Sequence, residues 1–186
     1  MKEEILNCIE VLNAGGLILY PTDTVWGIGC DATNKDAIDK VYKIKERQNS
    51  KSLIVLVAND SMLNKYVKDI PDLAWDIIDI SEKPTTIIYD SPKNLASNVI
   101  GNDNSIAIRM IKVGFAHQLI FNYRKPIVST SANITNNPTP LLFDEILDDI
   151  KNNVDYIVPS KFNTGDKKPS SLIKLGINGA VEVLRK

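Results

Sequence analysis

The chain has 186 residues, 44% hydrophobic and 24% charged, which is long enough for one domain with a sizeable buried core. Its 22 basic and 23 acidic residues give a net charge of -1, which argues against wrapping nucleic acid by charge alone but leaves room for a local basic pocket. No apolar run approaches 18 residues, and the acidic start at Met1–Glu4 predicts no signal peptide, so we expect a cytoplasmic protein with no membrane partner.

Soft metal ligands are few in this sequence. Two cysteines, Cys8 and Cys30, and one histidine, His117, cannot together form a His/Cys metal site, so no protein metal site is predicted. A Cys8–Cys30 disulfide is conceivable, but two reduced thiols are the expected state of a chain without a secretory signal. His117 lies among apolar residues, and we expect it to pack or to lie at the surface.

Helical and strand patterns alternate along the chain. An amphipathic helix is predicted over 3–14 and ended by Gly15-Gly16, and Asn34 or Thr33 can cap the next helix. Further helices are predicted from Pro71 and over 113–122 and 141–151. Strands are predicted at Leu17–Tyr20, Leu53–Val57, Thr85–Tyr89, Ser105–Met110, Ile127–Thr130, Tyr156–Val158, Ser171–Leu175 and Ala180–Leu184.

The spacing of these elements predicts the fold class. Strands alternate with helices unevenly, and the last strands follow one another without helices. We therefore expect an α/β protein in which residues 1–186 form a single domain, a twisted mixed β-sheet flanked by helices. Two polar stretches, Asn133–Pro140 and Lys161–Pro169, are predicted loops beside strand ends, where α/β proteins usually carry their sites.

Polar segments beside these strands are the candidates for chemistry. There is no Walker loop, and Gly27-Ile28-Gly29 lacks the third glycine of the dinucleotide fingerprint. The segment from Tyr20 to Ala32 combines hydroxyls and a carboxylate with two glycines, and is either part of a site or a structural crossover loop. Ser129–Asn133 could hold a phosphate or an adenine, although such residues also form ordinary turns.

Arginine is rare among the basic residues. Such a bias is expected where arginine is kept for bidentate binding of carboxylate or phosphate, and it also arises by chance. The four arginines are Arg47, Arg109, Arg124 and Arg185.

Taken together, these segments resemble the YrdC family, the threonylcarbamoyl-AMP synthases that begin N6-threonylcarbamoyladenosine (t6A37) synthesis in tRNA, in its short bacterial-type form. Seven motifs carry the resemblance in order across essentially the whole chain, and three of the four arginines lie on them. The motifs are Tyr20-Pro21-Thr22-Asp23-Thr24 with the two glycines that follow, Lys45-x-Arg47, Pro84-Thr85-Thr86, Ala107-Ile108-Arg109, Ser131-x-Asn133, Pro169-Ser170-Ser171 and Val183-Leu184-Arg185.

The sequence departs from the family pattern at several positions, among them Lys51-Ser52-Leu53, where longer members have Asn-Pro-Leu. Trp26 stands where tyrosine is usual, which is a tolerable aromatic exchange. Asn136-Asn137 stands where Ser-Gly is common in the nucleotide loop. Leu56 corresponds to a histidine of longer members, so any threonine contact of that histidine is lost here.

The resemblance implies an L-threonylcarbamoyladenylate synthase, a nucleotidyltransferase that converts L-threonine, bicarbonate and ATP into threonylcarbamoyl-AMP and pyrophosphate. It implies that Mg²⁺ enters with ATP, and that the enzyme has transient contact with the tRNA threonylcarbamoyl-transferase machinery and tRNA. It implies catalytic roles for Lys45, Arg47, Ser131 and Asn133, ATP contacts for the same four residues with Thr86 and Arg185, and threonine contacts for Thr24, Arg109 and Ser170. Such a reaction can proceed by positioning and electrostatic stabilisation without a covalent nucleophile.

Two other functions compete with this one. An RNA-binding or ribosome-associated module could use the same basic concavity without chemistry, but the net charge of -1 and the 6% aromatic content disfavour a stacking platform. A carbamoyl-transfer subdomain of a larger enzyme is disfavoured because the chain carries no companion domain.

The pair Lys45-x-Arg47 also yields a geometric prediction. Residues two apart on a helix point about 200° away from each other, so both cations can face one nucleotide only if the helix ends before Arg47. The segment Gln48-Asn49-Ser50 favours a break, because Asn and Ser side chains compete for backbone hydrogen bonds. We therefore predict that regular helix ends at about Lys45, and that both cations converge near Ser131 and Asn133.

Overall fold

The computed structural model describes residues 1–46, 53–165, 167–176 and 179–186. The helices of these residues are α1 (Lys2–Asn13), α2 (Lys35–Ile44), α3 (Asp60–Tyr66), α4 (Asp72–Ile80), α5 (Gly114–Tyr123) and α6 (Asp148–Lys151), with 3₁₀ turns at Ser97–Val99, Phe143–Glu145 and Ser160–Phe162. The strands are β1 (Ile18–Pro21), β2 (Trp26–Asp31), β3 (Ile54–Val57), β4 (Thr85–Asp90), β5 (Ser105–Met110), β6 (Ile127–Ser131), β7 (Tyr156–Ile157), β8 (Ser171–Leu175) and β9 (Val181–Arg185).

Within the described residues these strands form one sheet, in the order β7-β1-β2-β6-β3-β5-β4-β8-β9. The pairs β1–β7, β3–β5 and β4–β8 are parallel, and the other neighbours are antiparallel. The predicted fold class, an α/β protein with a mixed sheet and flanking helices, is confirmed.

The two faces of the central strands differ in chemistry. Residues paired across β2, β6, β3, β5 and β4 on one face are all buried and apolar: Cys30, Val128, Val55, Ile108 and Ile87. Helices α2 and α5 pack against β2 and β3. The alternate residues on these strands face the other way, and they include the small side chains of Ser129 and Ala107. One face therefore forms the core, and the other is left concave.

Local sequence signals set the ends of the first two helices. Helix α1 buries Ile5, Cys8 and Leu12 and is followed by Gly15 at a φ of 72°, a conformation that glycine adopts readily. Helix α2 begins at its cap Asn34, whose side chain accepts a hydrogen bond from the Ala37 N–H at 3.1 Å. Both helices were predicted from these residues, and both predictions are confirmed.

The interpretation of Tyr20–Ala32 as a structural crossover loop is wrong, because Tyr20 and Pro21 end β1 and Trp26–Asp31 form β2. Glycine has a low strand propensity, so Gly27 and Gly29 weaken the strand pattern of this segment in the sequence. In the sheet the absence of a side chain is needed, since a Cβ on Gly29 would lie 2.6 Å from Cε1 of Tyr20.

Two helical predictions also need correction. The short helix α3 was not predicted, although Asn59 caps it by accepting from the Met62 N–H at 2.9 Å. The helix expected over 141–151 is divided into the 3₁₀ turn Phe143–Glu145 and α6, with extended residues between them.

Both cysteines are buried free thiols, in agreement with the sequence prediction. Burial, with a smaller effect of the Glu4 carboxylate, raises the pKa of Cys8 to about 12. His117 is partly buried and stacks on Phe121, with 6.0 Å between the ring centroids, which confirms a packing role. In the parts of the chain that the structure describes, no helix is long and apolar enough to span a membrane.

Candidate active site

A cleft of about 320 Å³ opens on the concave face of the sheet. Its floor is made by residues that pair across neighbouring strands and therefore share this face: Gly27 and Ser131, Ser129 and Ile54, Ala107 and Ile88. Glycine, serine and alanine leave the space that larger side chains would fill. The cleft therefore follows from the sheet register and the small residues at these positions.

The first corner of the cleft is built around the end of α2. The helix ends at Ile44, Lys45 caps it, and Glu46 has a left-handed φ of 48°. The predicted end of regular helix at about Lys45 is confirmed. Arg47 lies outside the described residues, so its convergence with Lys45 stays a prediction.

Lys45 is only 3% exposed, and its ammonium group lies beside the predicted partners. Its Nζ donates to the main-chain oxygen of Ser131 at 2.6 Å and to Oδ1 of Asn133 at 3.0 Å. The same Oδ1 accepts from the Ser131 hydroxyl at 2.5 Å. The prediction that Lys45 lies close to Ser131 and Asn133 is confirmed, and part of its donor capacity is used to fix the loop that follows β6.

Asn133 also closes this loop. Its Nδ2 donates to the carbonyls of Ile134 at 3.1 Å and Asn137 at 2.6 Å. Asn136 has a φ of 72°, in the left-handed region where asparagine is tolerated better than most residues. The departure at Asn136-Asn137 from the family's Ser-Gly is therefore compatible with a tight turn at this point.

The second corner is built around Arg109, whose side chain is 4% exposed. Its Nη2 donates to Oδ1 of Asp23 at 2.9 Å and, more weakly, to the Thr24 hydroxyl at 3.4 Å. Its Nε is buried and has no hydrogen-bond partner among the residues that the structure describes. Buried charged donors are normally paired, so an unpartnered guanidinium N–H beside a cleft is typical of a binding site for an anion.

The third corner joins three predicted residues in a chain of hydrogen bonds. Ser170 and Thr86 share a hydrogen bond of 2.8 Å between their hydroxyls. Arg185 donates from Nε to the Ser170 carbonyl at 2.8 Å and from Nη2 to its hydroxyl at 3.3 Å.

Thr86 is the most deeply buried residue of this corner. It is 0% exposed, and the parallel pairing of β4 with β8 places it beside Leu172. Its hydroxyl contacts Ser170, whereas Ser170 itself lines the cleft. The ATP contact of Thr86 that the resemblance implies stays a prediction.

Two guanidinium groups make the cleft electropositive. Burial, and to a smaller extent repulsion from Arg109, lowers the pKa of Arg185 below its usual value. Such repulsion is relieved when an anion binds between or beside the two groups. The cleft is therefore suited to carboxylate and phosphate groups.

The sequence predictions can now be placed. Five predicted site residues line the cleft: Thr24, Arg109, Ser131, Ser170 and Arg185. Lys45 and Asn133 lie behind Ser131, and Thr86 lies behind Ser170. Sequence reasoning missed Asp23, although it stands beside Thr24 within the most specific motif. Among the described residues, no cluster of three or more His, Cys, Asp or Glu side chains could hold a metal ion.

The fold and the cleft together describe an α/β protein whose mixed sheet carries a cleft lined by two arginines. Residues 10–186 match the model of the Sua5/YciO/YrdC family, which carries the description "Telomere recombination". The threonylcarbamoyl-AMP synthase of Pseudoalteromonas translucida is 34% identical over 183 residues, 97% of each chain. That of Escherichia coli K12 is 32% identical over 148 residues, 78% of this chain and 78% of the relative. The chain belongs to the Sua5/YciO/YrdC family, as the sequence motifs indicated.

Solved structures agree with this result. The P. abyssi Sua5 variant H234A/Y235A aligns with a TM-score of 0.88 at 25% identity, over 97% of this chain and 55% of that one. P. abyssi Sua5 complexed with L-threonine aligns with a TM-score of 0.82 at 25% identity, over 92% of this chain and 50% of that one. This chain thus spans about half the length of Sua5. E. coli YciO, at 22% identity and a TM-score of 0.86, shares the fold over 100% of this chain and 90% of its own.

Proposed function

We propose that this chain is a threonylcarbamoyl-AMP synthase, an enzyme that makes threonylcarbamoyl-AMP and pyrophosphate from L-threonine, bicarbonate and ATP. The observation that carries the proposal is the buried Arg109 guanidinium, whose Nε has no protein partner beside a cleft lined by a second arginine. Relatives that match over most of their length are threonylcarbamoyl-AMP synthases, and a Sua5 structure of the same fold holds L-threonine.

Arg109 is the natural partner of the threonine carboxylate, because a guanidinium matches a carboxylate in charge and geometry. The Thr24 and Ser170 hydroxyls lie on the same cleft and can bind the amino acid's polar groups. The free α-amino group of threonine combines with bicarbonate to give a carbamate and water. Arg109 would hold this carbamate in place for the next step.

Nucleotidyl transfer then requires a carbamate oxygen to attack the α-phosphorus of ATP, with pyrophosphate leaving. Arg185 and the Ser131 hydroxyl face the cleft and are suited to the phosphate oxygens, and the motif adds Arg47. Lys45 and Asn133 orient Ser131. Because donors fixed before the reaction need no reorganisation, such an arrangement stabilises charge as it develops on the leaving group.

Mg²⁺ fits this site as a companion of ATP. The described lining of the cleft offers serine and threonine hydroxyls, and a Mg²⁺ ion that enters with ATP would keep water and phosphate oxygens as its main ligands. Bound Mg²⁺ would neutralise part of the phosphate charge.

We also propose the cytoplasm as the location, since two buried free thiols suit a reducing compartment. Hand-over of the product would involve the tRNA threonylcarbamoyl-transferase machinery and tRNA. The alternative, an RNA-binding or ribosome-associated module, gains no support from a cleft whose unpaired donor and small-residue floor suit a small anion.

Pyrophosphate release tests the proposal directly. Release should require threonine, bicarbonate and ATP together, so omitting any one of them should abolish it. ATP with threonine should also raise the melting temperature, whereas RNA should not. A rise with RNA alone, and no threonine-dependent pyrophosphate, would favour the RNA-binding alternative.

A further inference from the structure

Asp23 is the one carboxylate bonded to the cleft arginines in the described structure. Its Oδ1 accepts from Nη2 of Arg109 at 2.9 Å, and the side chains are 13% and 4% exposed. We propose that Asp23 is a positioning residue for amino-acid binding: it fixes the Arg109 guanidinium so that its remaining donors are held ready for the substrate carboxylate. This inference rests on the proposed function and deepens it.

The segment that carries Asp23 is fixed independently of Arg109. The Thr22 hydroxyl donates to the Val25 carbonyl at 2.7 Å and accepts from the Thr24 N–H at 3.1 Å. Gly165 packs so closely on this segment that a Cβ there would lie 2.5 Å from the Thr24 carbonyl oxygen. Because the loop is held by its own contacts, Asp23 can orient Arg109 rather than follow it.

The donor inventory of Arg109 supports this role. A guanidinium has five N–H donors in a rigid fork, so bonding one end restricts where the others point. Asp23 and Thr24 bond Nη2, and Nε is left without a protein acceptor. Without Asp23 the long side chain would sample other rotamers, and threonine binding would have to order it again.

The charge of Asp23 gives the role a distinctive signature. Burial and, to a smaller extent, repulsion from Arg109 lower the pKa of Arg185, and the Asp23 carboxylate offsets part of the positive charge of Arg109. Neutralising Asp23 should therefore make the Arg109 side chain more mobile at the amino-acid subsite. The electrostatic potential at the phosphate subsite should stay positive or become more positive, because a negative charge has been removed. We expect threonine binding to weaken selectively, without a matching loss for ATP.

The test is Asp23→Asn in the full chain, assayed by threonine-dependent pyrophosphate release. The KM for threonine should rise about tenfold or more, because the neutral amide is a weaker acceptor and holds the guanidinium less firmly than the carboxylate does. The KM for ATP should not rise. The matched control is Asp103→Asn, which removes a comparable carboxylate on Lys174, 3.1 Å away and outside the cleft; it should leave both KM values unchanged.

Further variants separate positioning from a structural role. In an Arg109→Lys background, Asp23→Asn should add little, because the group that it positions is gone. Asp23→Glu should restore part of the threonine affinity measured by calorimetry. An unchanged KM for threonine in Asp23→Asn would overturn the proposal, and so would a loss confined to the melting temperature. A wild-type protein without threonine-dependent activity would instead refute the proposed function.

Discussion

The two ends of strand β2 use polar groups in opposite ways. At Asp31 the carboxylate accepts four hydrogen bonds: from Thr33 N–H at 2.8 Å and Oγ1 at 2.6 Å, from Tyr123 at 2.8 Å and from Lys125 at 2.8 Å. At the other end Trp26 lines the cleft, and its buried Nε1, like Nε of Arg109, has no hydrogen-bond partner in the described parts of the chain. Buried polar groups that are hydrogen-bonded within the protein stabilise the fold. Buried polar groups without a protein partner are expected where a ligand supplies the missing hydrogen bond.

This difference predicts two classes of variant. Changes at the cleft should reduce activity more than stability, and changes at Asp31 should do the reverse. Lys45 is buried and also holds a residue of the cleft, so its substitution should reduce both activity and stability.

The largest effect is expected for Lys45→Met. Methionine keeps the length of the side chain but removes the donor that holds the Ser131 carbonyl and Asn133. We expect pyrophosphate release to fall by about 10²–10³-fold, because Ser131 loses the group that fixes it toward the phosphate, and the loss of one fixed donor to a reacting group typically costs this much. The control is Lys43→Met on the same helix, where the lysine is exposed. Equal losses from both changes would contradict the role of Lys45.

Arg47→Lys should have the next largest effect. Arg47 belongs to the Lys-x-Arg motif, and lysine cannot reproduce a bidentate guanidinium fork. Because hydrogen bonds between charged groups contribute about 1.5–3 kcal/mol, activity should fall by about 10–100-fold. Arg124→Lys is the matched control, since Arg124 is exposed at the end of α5 and lies on no motif. Similar pyrophosphate release by the two variants would show that Arg47 is not part of the site.

The first corner of the site could be predicted from sequence because its causes are local. The asparagine and serine that follow α2 in the sequence predict that the helix ends there, and Glu46 has a left-handed φ of 48°. Asn34 capped the same helix as predicted. In each case the signal and the structure lie within a few residues of each other.

The rest depends on contacts between distant residues. Thr86 lies under Ser170 because β4 pairs in parallel with β8, 84 residues later, and no local pattern encodes that pairing. Asp23 meets Arg109 across 86 residues. Strand β2 was not predicted because its glycines do not favour a strand by themselves. Their reason becomes visible only in the fold, where Tyr20 lies against Gly29. Family resemblance supplied the residues of the second and third corners, but not their partners.

Asp31→Asn should lower the free energy of unfolding by about 2 kcal/mol at neutral pH, because an amide cannot accept all four bonds. Activity at a temperature where the variant is folded should be unchanged. Burial raises the pKa of Asp31, but bonds from Lys125, Thr33 and Tyr123 outweigh burial and hold the pKa below 3.8.

The direction of that shift sets the pH dependence. A carboxylate with a lowered pKa stabilises the fold above its unfolded-state pKa of 3.8, and this stabilisation is lost as the pH falls through the lower folded-state value. Urea unfolding at neutral pH and at about pH 3 should therefore show a smaller acid-induced loss in Asp31→Asn than in the wild type. An equal acid-induced loss of unfolding free energy in both proteins would show that Asp31 does not contribute to the acid sensitivity of the fold.

The smallest effect concerns the choice of amino acid. Leu56 is buried, pairs in register with Arg109 and stands where longer relatives have a histidine, so this position offers no polar contact to the threonine side chain. Serine differs from threonine by one methyl group, and an apolar contact discriminates one such group by only on the order of tenfold. We therefore expect serine to be accepted in part, at a kcat/KM about tenfold below that of threonine, with alanine lower still because it lacks the hydroxyl that Thr24 or Ser170 can bind. Pyrophosphate release with the three amino acids measures this order. Serine that is turned over no better than alanine would show that the site does not bind the hydroxyl, and Thr24 and Ser170 would then have to act on the carboxylate or the amino group alone.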